Sequence, residues 1–243
     1  MEAVKDRQDF SRFLVHLTKD SDDATAKDNL ISIIESQVIE AKNHHCLFGY
    51  DMDRMEFTHG LKSKFNTVCF TEVPLNELRH LAKPIKGRKI KLSPYGVVFW
   101  RDLMIDKGAS QAIYINDKGT QLKSLLLEQF RSSFKQVKSI RDLKLKNPSY
   151  EDLIRYYSLI NIISENYDFA WEREWRHSGN FRFKRRRVAA IIAENPREFE
   201  RYCKTVLSRS AQKFVNFTPI LDPCWGYEEV IEEMSEKLWR VRA

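Results

Sequence analysis

The sequence contains no long apolar run, and this absence sets the first limits on what the chain can be. No stretch approaches the roughly 20 consecutive apolar residues that a helix needs to cross a bilayer. The first residues, from Met1 to Asp9, contain no apolar signal region. Glycine and proline are scarce, with eight and seven residues among 243, which argues against a disordered or repeat-built chain. We therefore expect a cytoplasmic protein with an ordinary folded core and no membrane partner.

Patterns typical of metal, disulfide and nucleotide-loop sites are also missing. No two of the four cysteines form a C-x-x-C pair, so neither a disulfide framework nor a zinc knuckle is predicted. The cluster His44–Cys46 consists of adjacent side chains, which rarely aim at one ion, so we predict no metal site. No glycine-rich phosphate loop is present, so a Rossmann or P-loop fold has no support.

Positive charge and aromatic residues are abundant. Fifteen Phe, nine Tyr and five Trp supply material for a core. The net charge of +7 and the pI of about 9.1 favour an anionic partner, of which nucleic acid is the commonest. The basic residues concentrate in Lys83–Lys91 and in Lys184–Arg187. We take Lys184, Arg185 and Arg186 as candidate nucleic-acid-binding residues; solvated loops are the alternative interpretation.

The hydrophobic periodicity predicts a single α+β domain over 1–243, with a helical insertion at about 119–166. Alternating or apolar runs predict six strands before and after this insertion: Phe13–Thr18, Thr67–Glu72, Tyr95–Trp100, Gln111–Asn116, Arg187–Ala193 and Lys213–Leu221. Helical spacing predicts helices at about 24–42, after Pro74, up to Gly108, from Leu122 to Val137, from Ser149 to Ile163, after Asn195-Pro196 and from about Tyr227 to Arg240. Residues 43–66 show no period and are predicted to be a long loop.

Charged and aromatic residues alternate in Trp171–Arg176, which predicts a strand with two different faces. Glu172 and Glu174 are expected on one face, with Arg173 and Trp175 on the other. Two carboxylates on one face repel each other, so a cation must offset them. Taken alone, this stretch is more simply an exposed strand with solvated charges, or a strand whose glutamate pairs with a neighbouring arginine.

Three motifs together resemble the ADP-ribosyltransferase superfamily: His16-Leu17-Thr18, the helix behind it with Asn29-Leu30 and Ile33-Ile34, and the late Glu172-x-Glu174. The first of these is similar to the opening of nucleic-acid-modifying toxins of the DarT type and of RNA 2′-phosphotransferases. Three later segments resemble AbiGi-type abortive-infection proteins and CmdT-type toxins: Val68–Pro74, Tyr95–Phe99 and Trp171–Arg176.

This resemblance implies a split antiparallel β-sheet core and an enzyme that transfers ADP-ribose from NAD⁺. The implied acceptor is nucleic acid, single-stranded RNA before DNA, and the implied setting is a toxin in phage defence with a possible antitoxin partner. Cleavage of NAD⁺ passes through a cationic sugar, which a carboxylate stabilises. By resemblance, Glu174 is that catalytic carboxylate, and Glu172 selects or activates the acceptor.

The resemblance also implies a set of residues that bind NAD⁺. His16 is expected to bond the ribose of the adenosine half, with Thr18 in support. An aromatic ring must stack on the nicotinamide, and we favour Tyr114 over Tyr95 and Phe99. Arg176, or alternatively Arg12, is expected to meet the pyrophosphate.

Two other functions stay open. The chain could be a basic regulatory or antitoxin-like protein that binds nucleic acid or a partner and has lost catalysis. It could also be a nuclease that uses Glu172, Glu174 and His16.

Overall fold

A computed structural model describes residues 11–83, 91–118, 121–136, 143–145, 151–163 and 170–242. The fold is α+β, as the sequence predicts, and its main sheet is mixed and mostly antiparallel. The strands are β1 (Phe13–Leu17), β2 (Val38–Ile39), β3 (Thr67–Thr71), β4 (Gly96–Trp100), β5 (Ser110–Gln111), β6 (Ile113–Asn116), β7 (Phe134–Gln136), β8 (Leu143–Leu145), β9 (Ile160–Ile163), β10 (Glu174–Ser178), β11 (Phe181–Arg182), β12 (Val188–Ile192) and β13 (Ile220–Leu221).

The helices surround these strands in sequence. They are α1 (Ala26–Ser36), α2 (Gly49–Arg54), α3 (His59–Ser63), α4 (Leu78–Leu81), α5 (Arg101–Asp106), α6 (Leu122–Ser132), α7 (Glu151–Leu159), α8 (Pro196–Val206), α9 (Arg209–Asn216) and α10 (Tyr227–Arg242). No helix in the described part of the chain is long and apolar enough to span a membrane.

Seven strands form the main sheet in the order β13-β12-β4-β1-β3-β10-β5. The pair β12–β13 is parallel, whereas β1 runs antiparallel to both β3 and β4. Three smaller sheets each contain two strands: β2 with β11, β6 with β9, and β7 with β8.

The chain forms two compact units. The first unit comprises Met1–Ile39, Phe70–Lys107 and Arg182–Ala243, and the second comprises Glu40–Cys69 and Gly108–Phe181. The predicted single domain over 1–243 stays a prediction.

The core of the first unit lies against strands β1, β4 and β12. One cluster of its buried side chains is aliphatic: Val15, Leu17, Val73, Leu78, Leu81, Val98, Ala190, Ile192 and Leu221. Gly96 is required where β4 meets β1, because a Cβ at this position would lie 2.3 Å from the His16 carbonyl oxygen. A side chain here would therefore push the two central strands apart.

The core of the second unit is mainly aromatic. Its buried members are Phe48, Met52, Phe57, Phe65, Ile115, Phe130, Phe134, Ile154, Tyr157 and Ile160. The Phe48 and Phe130 rings stack with their centroids 4.5 Å apart, and Tyr157 meets both rings edge-on. These rings hold α6 and α7 against the segment that carries α2.

Several predicted elements are confirmed. Strands β1, β3, β4 and β12 and helices α5, α8 and α10 lie where the periodicity places them. Gly108 follows α5 with φ +87°, as a left-handed helix stop requires. Helix α1 begins one residue after Thr25, whose hydroxyl accepts from the Asp28 N–H while the Asp28 carboxylate accepts from the Thr25 N–H.

Several predictions of secondary structure are wrong. The predicted loop at 43–66 contains α2 and α3. The first helix ends at Ser36 rather than near 42, because Gln37 adopts a left-handed conformation with φ 52° and the chain continues into β2. Of the predicted strand Lys213–Leu221, only β13 is a strand. The rest belongs to α9 and the turn after it, because Ser208 caps that helix and its buried side chains recur at helical spacing.

The insertion at about 119–166 is not purely helical. It contains α6 and α7, but β7, β8 and β9 also lie within it. Ile160 and Ile163, predicted on the buried side of the second helix, lie instead in β9, which pairs with β6. The predicted helix cap Ser149 and residues 84–90 of the basic connection lie outside the described residues.

Candidate active site

The alternation in Trp171–Arg176 predicts one continuous strand, but the structure does not contain one. Ala170–Glu172 forms a short 3-10 helix, Arg173 has φ 45°, and β10 begins only at Glu174. A residue with positive φ interrupts the pleat, so Glu172 and Glu174 do not share a strand face. The prediction of two carboxylates side by side on one strand is therefore wrong.

Glu174 instead shares a strand face with Arg176, two residues further along β10. Arg176 Nε donates to Glu174 Oε1 at 3.0 Å, and Arg176 Nη2 donates to Oε2 at 2.9 Å. The side chain of Glu174 is 13% exposed and that of Arg176 is 2% exposed. The pair is thus a buried, two-point ion pair, the strongest form of contact between these residue types.

The remaining nitrogen of the Arg176 guanidinium, Nη1, also has a fixed partner. It donates to the Ser158 carbonyl at 2.6 Å. Ser158 belongs to the last turn of α7, where carbonyl groups have no partner inside the helix. The negative end of the helix dipole therefore stabilises the cation, and the cation holds the helix end in place.

Tyr114 reaches the same carboxylate from β6. Its hydroxyl donates to Glu174 Oε2 at 2.7 Å. The backbone aims it there, because the Ala112 N–H donates to the Glu174 carbonyl at 2.9 Å. Ala112 interrupts the predicted strand Gln111–Asn116, so that β5 pairs with β10 and β6 pairs with β9.

Cys69 on β3 completes the cluster around the carboxylate. Its thiol donates to Glu174, which, as an ionised carboxylate, can only accept. Burial, followed by the charge of Glu174, raises the pKa of Cys69 to about 12. The thiol is therefore protonated at neutral pH and is a donor rather than a nucleophile.

The pKa values of the cluster describe a fixed charge state. Burial acts to raise the pKa of Glu174, but the charge and hydrogen bonds of Arg176, followed by the bonds from Cys69 and Tyr114, lower that pKa below its ordinary value of 4.5. Burial and the Glu174 charge raise the pKa of the Tyr114 hydroxyl. At neutral pH, Glu174 is therefore ionised and Tyr114 is protonated.

Glu172 is half-buried in its 3-10 helix. Its negative charge is one of the causes that raise the pKa of Tyr114, so Glu172 acts on the cluster through its charge. Among the predicted site residues, the structure thus brings Glu174, Tyr114 and Arg176 into direct contact, with Glu172 nearby.

The other predicted NAD⁺ residues, His16, Thr18 and Tyr95, lie in the first unit. The Thr18 hydroxyl donates to the Ala26 and Tyr95 carbonyls at 2.8 and 3.0 Å, so it ties the end of β1 to α1 and β4. His16 pairs with Val97 across the sheet, and its ring meets the Phe70 ring edge-on at 5.8 Å. The cofactor-binding roles of these residues stay predictions.

The predicted basic residues Lys184, Arg185 and Arg186 are all exposed, in and before a short 3-10 helix of the first unit. No group of three or more His, Cys, Asp and Glu residues is arranged to hold a metal ion in the part of the chain that the structure describes. Of the aromatic candidates, Phe99 has no exposed surface and belongs to the core.

Sequence reasoning missed two members of the cluster. Ser158 contributes a backbone carbonyl, which no residue type signals. Cys69 lies in the predicted strand Thr67–Glu72, but it forms no C-x-x-C pair, so the cysteine pattern does not indicate its place beside Glu174. Comparison of the chain with protein-family models, with curated proteins and with solved structures found no match in any of the three.

Proposed function

We propose that the chain is an NAD⁺-dependent ADP-ribosyltransferase in which Glu174 stabilises the sugar cation. The proposal includes a sheet core of the split ADP-ribosyltransferase type, a toxin role in phage defence, and a nucleic-acid acceptor, single-stranded RNA before DNA.

One contact carries this proposal. The resemblance assigns Glu174 to the reacting ribose, and the need for an aromatic partner of nicotinamide assigns Tyr114 to the adjoining ring. These residues are sixty positions apart in the chain, yet the Tyr114 hydroxyl lies 2.7 Å from Glu174 Oε2. Two residues chosen for neighbouring parts of one substrate are thus neighbours in the structure.

The chemistry needs an ionised carboxylate that does not move during the reaction. When the bond between nicotinamide and ribose breaks, its electron pair leaves with nicotinamide and positive charge develops on the ribose. The acceptor then attacks the ribose carbon from which nicotinamide has departed, and it loses a proton to solvent. A carboxylate already ionised and held by Arg176 and Tyr114 needs no reorganisation to stabilise this charge.

In this proposal Arg176 is a positioning residue. The resemblance expects it at the pyrophosphate, but its guanidinium is engaged by Glu174 and by the Ser158 carbonyl and is only 2% exposed. It fixes the orientation of the carboxylate. Glu172 is proposed to act on the acceptor, as the resemblance implies, from the 3-10 helix that precedes β10.

Incubation of the protein with labelled NAD⁺ and separate RNA, DNA and protein fractions tests the proposal. Label in the RNA fraction, reduced when a duplex replaces single strands, is the expected result because pairing hides the reactive base edges. Label only in the protein fraction would overturn the nucleic-acid acceptor. No label and no release of nicotinamide would overturn the transferase.

One observation favours the second candidate, a basic regulatory protein without catalysis. The oxygens of Glu174 already accept bonds from Arg176, Tyr114 and Cys69, and the pair of Glu174 and Arg176 carries no net charge. Such a cluster also suits a purely structural ion pair. The second candidate predicts salt-sensitive RNA binding with no consumption of NAD⁺.

A further inference from the structure

Phe217 is a large ring that remains 37% exposed at the end of α9, in the first unit. The ring does not stand alone. The Arg185 guanidinium lies over the ring, 5.4 Å from its centroid, and Arg185 Nη1 donates to the Phe217 carbonyl at 3.4 Å. The exposed basic run Lys184–Arg186 is therefore held directly beside an accessible aromatic surface.

Helix α9 supplies positive charge along its outer side. Its buried residues, Ala211, Phe214 and Val215, face the core, whereas Arg209 and Lys213 are exposed. The helix contains no acidic residue, and Lys213 lies one turn before Phe217.

An acidic group from α1 lies at the other end of α9, away from Phe217. Glu35 accepts the Ser208 N–H at 3.0 Å, which places its carboxylate at the start of α9, and that bond lowers its pKa. The Phe217 end of α9 therefore has cations from two elements around one exposed ring.

We propose that Phe217, flanked by Arg185 and Lys213, is a stacking site for an unpaired base of single-stranded nucleic acid. This inference rests on the nucleic-acid acceptor of the proposed function and adds the surface that holds the strand. Every base has a flat face that stacks on an aromatic ring, and the neighbouring phosphates attract the cations. In a duplex the base faces are already stacked, so the site selects single strands.

Fluorescence anisotropy with the full chain tests this site without NAD⁺. The probes are a labelled single-stranded RNA of about 12 nucleotides, within the span of known single-strand sites, and an abasic strand of equal length. Phe217→Ala is expected to weaken RNA binding roughly tenfold, the scale of one lost stacking contact. It should leave abasic binding unchanged, and Phe217→Trp should restore RNA binding.

Two sets of variants separate stacking from charge and from loss of an ordinary surface ring. Arg185→Ser and Lys213→Ser should weaken binding of both probes and flatten its salt dependence, because each removes a phosphate contact. Tyr50→Ala removes another exposed ring, which is 76% accessible, and should leave the affinity for both probes unchanged.

Equal binding of RNA and abasic strand by the unmodified protein would overturn the stacking site. An unchanged RNA affinity for Phe217→Ala, or an equal loss for both probes, would do the same. Because these measurements need no NAD⁺, RNA stacking without any label transfer would refute the transferase and leave the site intact.

Discussion

Arg176 holds both carboxylate oxygens of Glu174, two residues before it on β10, at 3.0 and 2.9 Å. From the sequence alone, a glutamate that pairs with a neighbouring arginine is the simpler interpretation of this stretch, and the structure shows that the pair exists. It also shows two further features, the helix end at Ser158 and the hydroxyl of Tyr114, that fix the pair in one orientation.

Replacing Arg176 by lysine should damage both stability and activity. A lysine ammonium cannot present two parallel donors to Glu174 and a third to Ser158. We expect Arg176→Lys to lower the free energy of unfolding by about 1–3 kcal/mol, as for lost charged hydrogen bonds, and to lower kcat more than it raises KM for NAD⁺. Urea unfolding and steady-state kinetics measure these effects. Arg155→Lys, an exposed arginine on α7, is the control, and equal behaviour of the two variants would contradict the positioning role.

Tyr114→Phe separates the hydroxyl from the ring. The ring proposed to stack on nicotinamide is kept, so KM for NAD⁺ should change little, whereas loss of the 2.7 Å bond to Glu174 should lower kcat about tenfold. Tyr114→Ala should raise KM as well. A normal KM in Tyr114→Ala would show that the ring does not contact NAD⁺.

The ion pair should contribute to stability in a defined range of pH. The folded pKa of Glu174 is held below its ordinary value of 4.5. Its contribution is therefore present above pH 4.5 and is lost as the pH falls through the folded pKa. The difference in unfolding free energy between the unmodified protein and Glu174→Gln should be constant near neutrality and shrink in acid. A difference that grows below pH 4.5 would mean that the pKa is raised instead.

Gly96→Ala should destabilise the first unit. The added Cβ would lie 2.3 Å from the His16 carbonyl oxygen, so β1 and β4 must separate. We expect a loss of about 1–3 kcal/mol, the usual range for overpacking. Gly60→Ala is the matched control, because a Cβ there meets nothing within 4 Å. Equal unfolding midpoints for the two variants would refute the close approach.

The elements that sequence reasoning predicted well are those whose pattern is local. Strand β4 is a short apolar run that ends at a change of direction, and α8 starts at Asn195-Pro196, a standard helix opening. The sequence does not predict helix α9 because Lys213–Leu221 is rich in β-branched and aromatic residues, which favour strands, and only the cap at Ser208 and the buried Phe214 and Val215 distinguish a helix.

The candidate site shows the same division. Glu174 and Tyr114 could be selected from the sequence, because the proposed chemistry requires a carboxylate and an aromatic ring. The role of Arg176 could not, because it depends on a backbone carbonyl at the end of α7, eighteen residues away along the chain. The left-handed turn at Arg173, which removes Glu172 from the strand, carries no glycine or asparagine to signal it.

The most direct test of the account compares two buried glutamates that each pair with an arginine. Glu174→Gln removes the proposed catalytic carboxylate. Glu72→Gln removes a carboxylate that is 1% exposed and lies 2.8 Å from Arg101 in the first unit.

The measurement is transfer of label from NAD⁺ to single-stranded RNA, with the folded fraction of each variant determined by circular dichroism. The account predicts a loss of 10²–10³-fold or more for Glu174→Gln, on the order expected for a missing electrostatic group in the transition state, and near-normal transfer per folded molecule for Glu72→Gln. Full transfer by folded Glu174→Gln would contradict it.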